Sequence, residues 1–229
     1  IVNEVFPAAR TLRMDMDTTR GKGDYERILS TFANEEADIL IGTQMIVKGH
    51  DFPKVTLVGI LAADMSLYAG DYRAGERTFE LLTQAAGRAG RSDRPGEVVI
   101  QTYSPEHYAI AAAAIQDYNQ FYNEEAGYRE LMGYPPAEHL LSILIEDGNE
   151  GEAAATAAWA AGISGRFKEA VTIGPADAPV GRIKDIFRKQ VYIKCGDYEY
   201  LTGIKDCIEE SRDKENLYHS HIEFDFDPI

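Results

Sequence analysis

The alternation of short apolar runs with helical patterns over the first 130 residues constrains the fold of this chain more than any other feature. Three apolar runs are typical of buried strands: ADILIGT (37–43), KVTLVGILA (54–62) and GEVVIQTY (96–103). A short extended run, TLRMD, precedes them, and helical patterns cover 24–33, 76–87 and 105–115. Strands that alternate with helices are usually joined in parallel, because each helix carries the chain back across the sheet. We therefore predict an α/β domain with a mostly parallel sheet covered on both faces.

The order of elements changes after the double proline at Pro135 and Pro136. We predict strands at 139–146, 171–175, 189–195 and 219–226, with helices at 152–163 and 200–212. This β-α-β-β-α-β order is that of a ferredoxin-like α+β domain. The stretch rich in Gly and Pro between the second and third of these strands is interpreted as a long connection. We place the domain boundary near residue 130, which gives domains 1–130 and 131–229.

Composition limits the compartment and the partners. No apolar run approaches the ~20 residues that span a bilayer, and the N-terminus resembles no secretion signal. It also lacks an initiator Met, so we expect a piece of a longer protein. The two cysteines, Cys195 and Cys207, are too few for a disulfide framework, which favours a reducing, cytoplasmic location. The formal net charge of −15 means that any contact with nucleic acid must use a local basic patch.

The loop after ADILIGT is the first candidate site. It reads GTQMIVKGHDF from Gly42 to Phe52, and ligands of parallel sheets bind beyond the carboxyl ends of strands. Small and hydroxyl residues expose backbone N–H groups that suit phosphate oxygens, while Lys48 and Asp51 add a cation and a carboxylate. The alternative is that these residues only serve the turn.

The second candidate is the octapeptide QAAGRAGR at residues 84–91. Two arginines, Arg88 and Arg91, each follow a glycine, so a short flexible loop could present two guanidinium groups to a multiply charged phosphate. The alternative is a helix that ends in glycine and places cations beside its own C-terminal dipole. The two candidate loops lie at one edge of the sheet only if the strand order brings them there.

These motifs resemble those of a known family. GTQMIVKGHDFP followed by LLTQAAGRAGR is similar to motifs V and VI of superfamily 2 helicases. From about Arg13 to its end, the chain resembles the PriA (primosomal protein N′) family of replication-restart DNA helicases. Further segments that carry this resemblance are PGEVVIQTY, PEHYAI, REL-x-GYPP, GPADAPVGRIKDIFRKQVYIK and the final EFDFDP. The resemblance implies a RecA-like second helicase lobe followed by the family's C-terminal domain. It also implies 3′-to-5′ polarity and action at stalled forks.

The resemblance assigns roles residue by residue. Thr43 and Lys48 would contact DNA, and Gly49 and Asp51 would lie near the nucleotide. Gln84 would couple the nucleotide state to lobe closure. Arg88 and Arg91 would reach the γ-phosphate across the interlobe cleft, with Arg91 the better candidate for the arginine finger, because phosphoryl transfer requires charge placed around the departing group.

The same resemblance indicates what this sequence does not contain. It carries neither G-x-x-x-x-G-K-[ST] nor a DExH box, which in the family belong to the first helicase lobe and hold ATP and Mg²⁺. We therefore expect this chain alone to be inactive. The family's zinc-binding cysteines also precede this stretch, so we expect zinc in the full-length protein and no metal ligands here.

A basic segment near the C-terminus is a candidate DNA contact. Five cations lie within thirteen residues, with Phe187 and Tyr192 among them: Arg182, Lys184, Arg188, Lys189 and Lys194. Cations interleaved with aromatic rings suit phosphate contact and base stacking. The alternative is an ordinary solvated strand, and Asp185 departs from the family pattern.

Two classes of function remain. The first is the C-terminal half of an ATP-dependent DNA helicase, whose partners would be forked or single-stranded DNA, single-strand DNA-binding protein, primosome proteins and the first lobe of its own chain, with no membrane. The second is a non-catalytic module that binds DNA or primosome proteins. A Rossmann-type nucleotide enzyme is disfavoured because no GxGxxG follows any predicted strand.

Overall fold

A computed structural model describes residues 1–46, 52–68, 70–90, 95–215 and 219–228. It divides the chain into two compact units. The N-terminal unit comprises residues 1–69 and 74–121, and the C-terminal unit comprises residues 70–73 and 122–229. The predicted boundary near residue 130 differs from this division, which falls inside a continuous helix.

The N-terminal unit alternates strands and helices, as the sequence predicts. Its helices are α1 (Val2–Val5), α2 (Asp24–Ala33), α3 (Ala74–Ala86) and α4 (Tyr108–Ala114), and its strands are β1 (Thr11–Met14), β2 (Ile39–Gly42), β3 (Leu57–Ile60) and β4 (Glu97–Ile100). Short 3₁₀ helices cover Gln44–Ile46 and Ala63–Ser66. Helix α5 (Tyr118–Met132) continues into the C-terminal unit.

The strands of this unit pair in parallel, which confirms the predicted strand direction. Strand β1 pairs with β2 and β3 with β4, but among the described residues these pairs are two separate two-stranded sheets. The prediction of one sheet covered on both faces is therefore wrong for this part of the chain. Leu57 and Val99 lie on the uncovered face of the β3–β4 pair, with exposed fractions of 59% and 51%.

Packing around α3 forms the larger core of the N-terminal unit. Phe79 and Leu82 of α3 are buried against the small side chains of α4, where Ala109, Ala112 and Ala113 are at most 1% exposed. The ring of Phe79 stacks on Phe121, with centroids 4.2 Å apart. Because alanines leave room for close helix packing, α3 is held firmly along its buried face.

The C-terminal unit has the predicted element order. After α5 come β5 (His139–Asp147), α6 (Glu150–Ser164), β6 (Val171–Ile183), β7 (Ile186–Cys195), α7 (Tyr198–Glu215) and β8 (His221–Phe226). The strands form one antiparallel sheet in the order β6-β7-β5-β8. Alternate residues of β5 and β7, such as Ile143 and Ile193, are fully buried beneath both helices.

One prediction for this unit is wrong. The Gly- and Pro-rich stretch after residue 175 is the second half of β6, which forms a hairpin with β7 and not a long connection. The pairing shifts register between Ile173 and Ala176 and again between Asp177 and Arg182. Strand β6 lies at the edge of the sheet, where proline is tolerated because its missing N–H has no ladder partner to satisfy.

In the part of the chain that the structure covers, every helix is too short or too polar to cross a bilayer.

Candidate functional site

The last turn of α3 carries Gln84, the first predicted site residue of the octapeptide. Gln84 is exposed on this turn, and Arg88 is half-buried directly after the helix ends at Ala86. The Arg88 N–H donates to the Ala85 carbonyl at 3.1 Å, which continues the helical turn. The stretch therefore projects from a helix whose opposite face is buried.

Gly90 is fixed, which contradicts the expectation of a flexible glycine. Its φ is 72°, in the left-handed region, and its N–H donates to the Val55 carbonyl at 3.1 Å. A Cβ on Gly96 would lie 2.2 Å from the Gly90 nitrogen, so the two glycine backbones are in direct contact. Of the residues between them, 91–94 lie outside the described residues, and Arg91 is one of these. The structure thus fixes the backbone contact between Gly90 and Gly96 on either side of that stretch.

The motif after β2 is described only at its start. Thr43 is exposed at the carboxyl end of β2, and its carbonyl accepts a hydrogen bond from the Ile46 N–H at 3.1 Å. A Cβ on Gly42 would lie 2.2 Å from the Met14 carbonyl oxygen, so glycine is needed where β2 meets the end of β1. The other predicted site residues of this loop, Lys48, Gly49 and Asp51, lie outside the described residues.

The two candidate segments do not share one set of strand ends. Thr43 follows the carboxyl end of β2. In contrast, the Gly90 N–H donates a hydrogen bond to the carbonyl of Val55, just before β3. The Gly90 backbone also contacts that of Gly96, just before β4. The octapeptide therefore ends beside the amino ends of β3 and β4, next to Val55, which packs in the same apolar cluster as Met14 and Ile46 near Thr43.

Asp64 is a buried residue of this unit that the sequence analysis missed. It is 5% exposed, and its carboxylate accepts hydrogen bonds from the Thr102 hydroxyl at 2.7 Å and from the N–H groups of Tyr103 and Ser104. The hydrogen bond from Thr102, with those from the backbone, lowers the pKa of Asp64. The carboxylate therefore joins the loops that follow β3 and β4. Its only signal in the sequence is a carboxylate soon after a strand.

The basic segment lies on the β6–β7 hairpin, where carboxylates already pair with its arginines. Arg182 donates to Asp185 at 2.8 Å, and its guanidinium lies 4.8 Å from the ring centroid of Phe187. Arg188 donates to Glu146 at 2.8 Å across the β5–β7 pair. These pairs reduce the positive charge that the hairpin can offer to a phosphate.

The remaining cations of this segment differ in their surroundings. Lys189 lies 2.5 Å from Asp177, and this hydrogen bond raises its pKa. Lys194 is only 8% exposed, and burial lowers its pKa. Lys184, at the hairpin turn with φ 55°, makes no hydrogen bond or ion pair with another described residue. Lys184 is thus the one cation of the segment that the described chain leaves available.

Among the described residues, no three His, Cys, Asp or Glu side chains lie close enough together to hold a metal ion.

Comparison with known proteins covers both units. Residues 130–229 match the family model described as Primosomal protein N C-terminal domain, and residues 8–93 match the Helicase conserved C-terminal domain. Three relatives are each named Replication restart protein PriA. The chain is 43% identical to the one from Bacillus subtilis over 99% of its length, 39% identical to that from Synechocystis over 100%, and 35% identical to that from Treponema pallidum over 100%.

The match covers only part of each relative. The chain spans 29% of the Bacillus protein, 27% of the Synechocystis protein and 35% of the Treponema protein. A helicase C-terminal model is followed by a primosomal C-terminal model, in the order in which the motifs of the sequence resemble the family. On these grounds the chain belongs to the PriA family of replication restart proteins, as its C-terminal part.

Proposed function

We propose that this chain supplies the second lobe and the C-terminal domain of an ATP-dependent DNA helicase that unwinds DNA in the 3′-to-5′ direction, assembles the primosome and restarts stalled forks. The observation that carries the proposal is 43% identity over nearly the whole chain to a protein named Replication restart protein PriA. The helicase model also covers Thr43, Gln84, Arg88 and Arg91.

The proposed architecture follows the same division. We assign 1–130 to a RecA-like lobe, supported by the helicase model and by parallel strands joined through helices. We assign 131–229 to a ferredoxin-like domain. Its β-α-β-β-α-β order and its antiparallel sheet, in which β7 separates β5 from β6, support this assignment.

The proposed role of the arginines follows from the chemistry of phosphoryl transfer. Charge spreads over the oxygens of the departing phosphoryl group, so catalysis depends mainly on cations placed around it. Arg88 and Arg91 would supply guanidinium groups from the stretch that follows α3, and Gln84 would couple the nucleotide state to lobe closure from the last turn of that helix. Gly49 and Asp51 would lie near the nucleotide. Because each lobe would supply only some of the residues around ATP, hydrolysis would occur only when the two lobes close over it.

The remaining parts of the site belong to the first lobe in this proposal. That lobe would hold ATP and Mg²⁺, and zinc would be bound by cysteines outside this chain. The half-buried Arg88 and the exposed Gln84 fit a phosphate ligand, because a guanidinium donates two parallel hydrogen bonds to phosphate oxygens.

The proposed partners are forked or single-stranded DNA, single-strand DNA-binding protein and other primosome proteins, in the bacterial cytoplasm at the nucleoid. Thr43 and Lys48 would contact DNA in the helicase lobe. In the C-terminal domain, the sequence gives three candidates for DNA contact: Arg182, Lys184 and Arg188. Lys184 is the best supported of them, because Asp185 already pairs with Arg182 and Glu146 with Arg188.

The function is tested first by ATP hydrolysis. We expect the 229-residue chain to show no DNA-stimulated ATP turnover, and the full-length protein to show turnover that single-stranded DNA increases. The reason is that this chain would provide only one half of a site shared by two lobes. Stimulated turnover by the chain alone would contradict the divided site, while an inactive full-length protein would favour a non-catalytic binding module.

The salt dependence of DNA binding tests the role of Lys184. In the full-length protein, Lys184→Ala should flatten the slope of log affinity against log salt by ~0.7–0.9, the value for one lost phosphate contact. Arg182→Ala and Arg188→Ala should change the slope less, because Asp185 and Glu146 already pair with them. Lys168→Ala, at an exposed lysine outside the hairpin, is the matched control. Equal changes for all three hairpin variants would show that the ion pairs open on binding.

A further inference from the structure

The β6–β7 hairpin extends beyond the rest of the sheet in the C-terminal unit. The last residue of β5, Asp147, pairs with Phe187 of β7, while β6 and β7 continue to pair as far as Ile183 and Ile186. A two-residue turn joins these isoleucines. The sheet therefore narrows to two strands at residues 183–186, which we call the hairpin tip.

The hairpin tip carries an exposed pair of apolar side chains. Ile183 and Ile186 lie directly opposite each other, so their side chains share one face of the hairpin. They are 46% and 42% exposed, whereas isoleucines at the centre of the same sheet, such as Ile143 and Ile193, are fully buried. A ligand that covers the pair removes apolar surface from water, which is favourable.

The cations near this pair differ in what they contact. Arg182 donates to the Asp185 carboxylate at 2.8 Å. Arg188 donates to the Glu146 carboxylate at 2.8 Å, which ties β7 to β5 below the tip. These two arginines brace the hairpin. Lys184 lies in the turn between the isoleucines, and it forms no hydrogen bond or ion pair within the part of the chain that the structure describes. The tip thus presents one cation flanked by two apolar side chains.

We propose that Ile183 and Ile186 pack against the outermost base pair at a DNA branch point, while Lys184 binds a neighbouring phosphate. The inference rests on the proposed function, which places Lys184 at DNA. It adds the DNA structure that the hairpin tip recognises and the side chains that recognise it.

The choice of a branch point follows from what aliphatic side chains gain from bases. In a continuous duplex every base pair is stacked on both faces, so a side chain that enters between two of them has to unstack them at a cost in free energy. Single strands bind mainly to aromatic rings, on which their bases stack. At a branch point the last base pair has an open face. Two adjacent isoleucines cover that face without unstacking any base, and the backbone beside it supplies the phosphate.

The test compares the affinities of the full-length protein for three DNAs. They are a three-way fork whose arms end in hairpin loops, a linear duplex closed by the same loops, and a single strand. We expect the double variant Ile183→Thr/Ile186→Thr to bind the fork about tenfold more weakly, since the two half-exposed side chains together gain about as much as one fully buried isoleucine. Its affinities for the closed duplex and the single strand should be unchanged. Threonine keeps the branched Cβ that suits a strand, so the hairpin is retained.

Val171→Thr is the matched control, because Val171 is 60% exposed at the opposite end of β6. It should leave all three affinities as in the wild type. Salt separates the apolar contact from the charged one. The double variant should lose the same factor in fork affinity at every salt concentration, because no charge is removed, whereas Lys184→Ala should flatten the salt dependence.

Wild-type fork affinity in the double variant would overturn the inference, as would equal weakening for all three DNAs. Failure of the proposed function looks different: the wild-type protein itself would lack ATP turnover that single-stranded DNA increases.

Discussion

Replacing Arg91 by alanine in the full-length protein is expected to lower ATP turnover by roughly 10³–10⁵-fold, the range for arginine fingers in phosphoryl transfer. DNA binding should stay close to that of the wild type, because the residue is proposed to act on the γ-phosphate. The expectation follows from its place at the end of QAAGRAGR, one residue beyond Gly90, whose backbone is fixed against Gly96. Steady-state turnover and DNA affinity measured on the same preparation provide the test.

Two further variants define what the Arg91 result means. Arg91→Lys should recover little turnover, because an ammonium group cannot reproduce the planar, two-pronged guanidinium. Arg91→Ala in the 229-residue chain should leave its melting temperature nearly unchanged. Normal turnover in the full-length Arg91→Ala protein, or strong destabilisation of the shorter chain, would assign Arg91 a structural role and leave Arg88 as the candidate finger.

The sequence predicted the C-terminal unit well because its strands and helices have clear periodicity. Residues 219–226 alternate between polar and apolar side chains, and the structure has β8 at His221–Phe226 with alternately exposed and half-buried residues. Strand β6 was predicted too short because Gly174, Pro175 and Pro179 are usually turn residues. At the edge of a sheet they interrupt the pairing with β7 without ending it, and no local pattern in the sequence distinguishes the two cases.

Helix α5 escaped prediction for a different reason. Its buried stripe consists of Phe121, Glu125 and Arg129, so two of three inward positions are polar and the apolar periodicity of a helix is weak.

The candidate site depended on the resemblance more than on the residues alone. Gly-rich and Arg-rich loops can serve turns or phosphates, and only the resemblance to motifs V and VI favoured phosphate binding. The sequence could not reveal which charged side chains form ion pairs with each other. Arg188 and Glu146 are 42 residues apart in the chain, yet they form an ion pair because β5 and β7 are neighbours. Five cations within a short segment therefore did not mean five cations available to DNA.

The contact between Gly90 and Gly96 leads to the second large effect. Gly96→Ala should lower the free energy of unfolding of the N-terminal unit by about 3 kcal/mol or more, because overpacking against rigid backbone cannot be relieved by a side-chain rotation. The new Cβ would lie 2.2 Å from the Gly90 nitrogen, 2.5 Å from the Ala89 carbonyl carbon and 2.6 Å from the Gly90 Cα. Every one of these neighbours is a backbone atom.

Gly203→Ala is the matched control for this substitution. Gly203 lies inside α7, and a Cβ there would meet no atom within 4 Å. Alanine should stabilise that helix by about 0.5–1 kcal/mol, since glycine loses more backbone entropy on folding.

Trp159 packs against the core of the C-terminal unit and is the only tryptophan, so its fluorescence reports that unit, while circular dichroism reports both. In a denaturant titration, Gly96→Ala should shift the circular dichroism transition to lower denaturant concentration and leave the Trp159 fluorescence transition unchanged. Gly203→Ala should move the Trp159 fluorescence transition to higher denaturant concentration. If Gly96→Ala unfolds like the wild type, the Gly90 and Gly96 backbones are not in contact in solution.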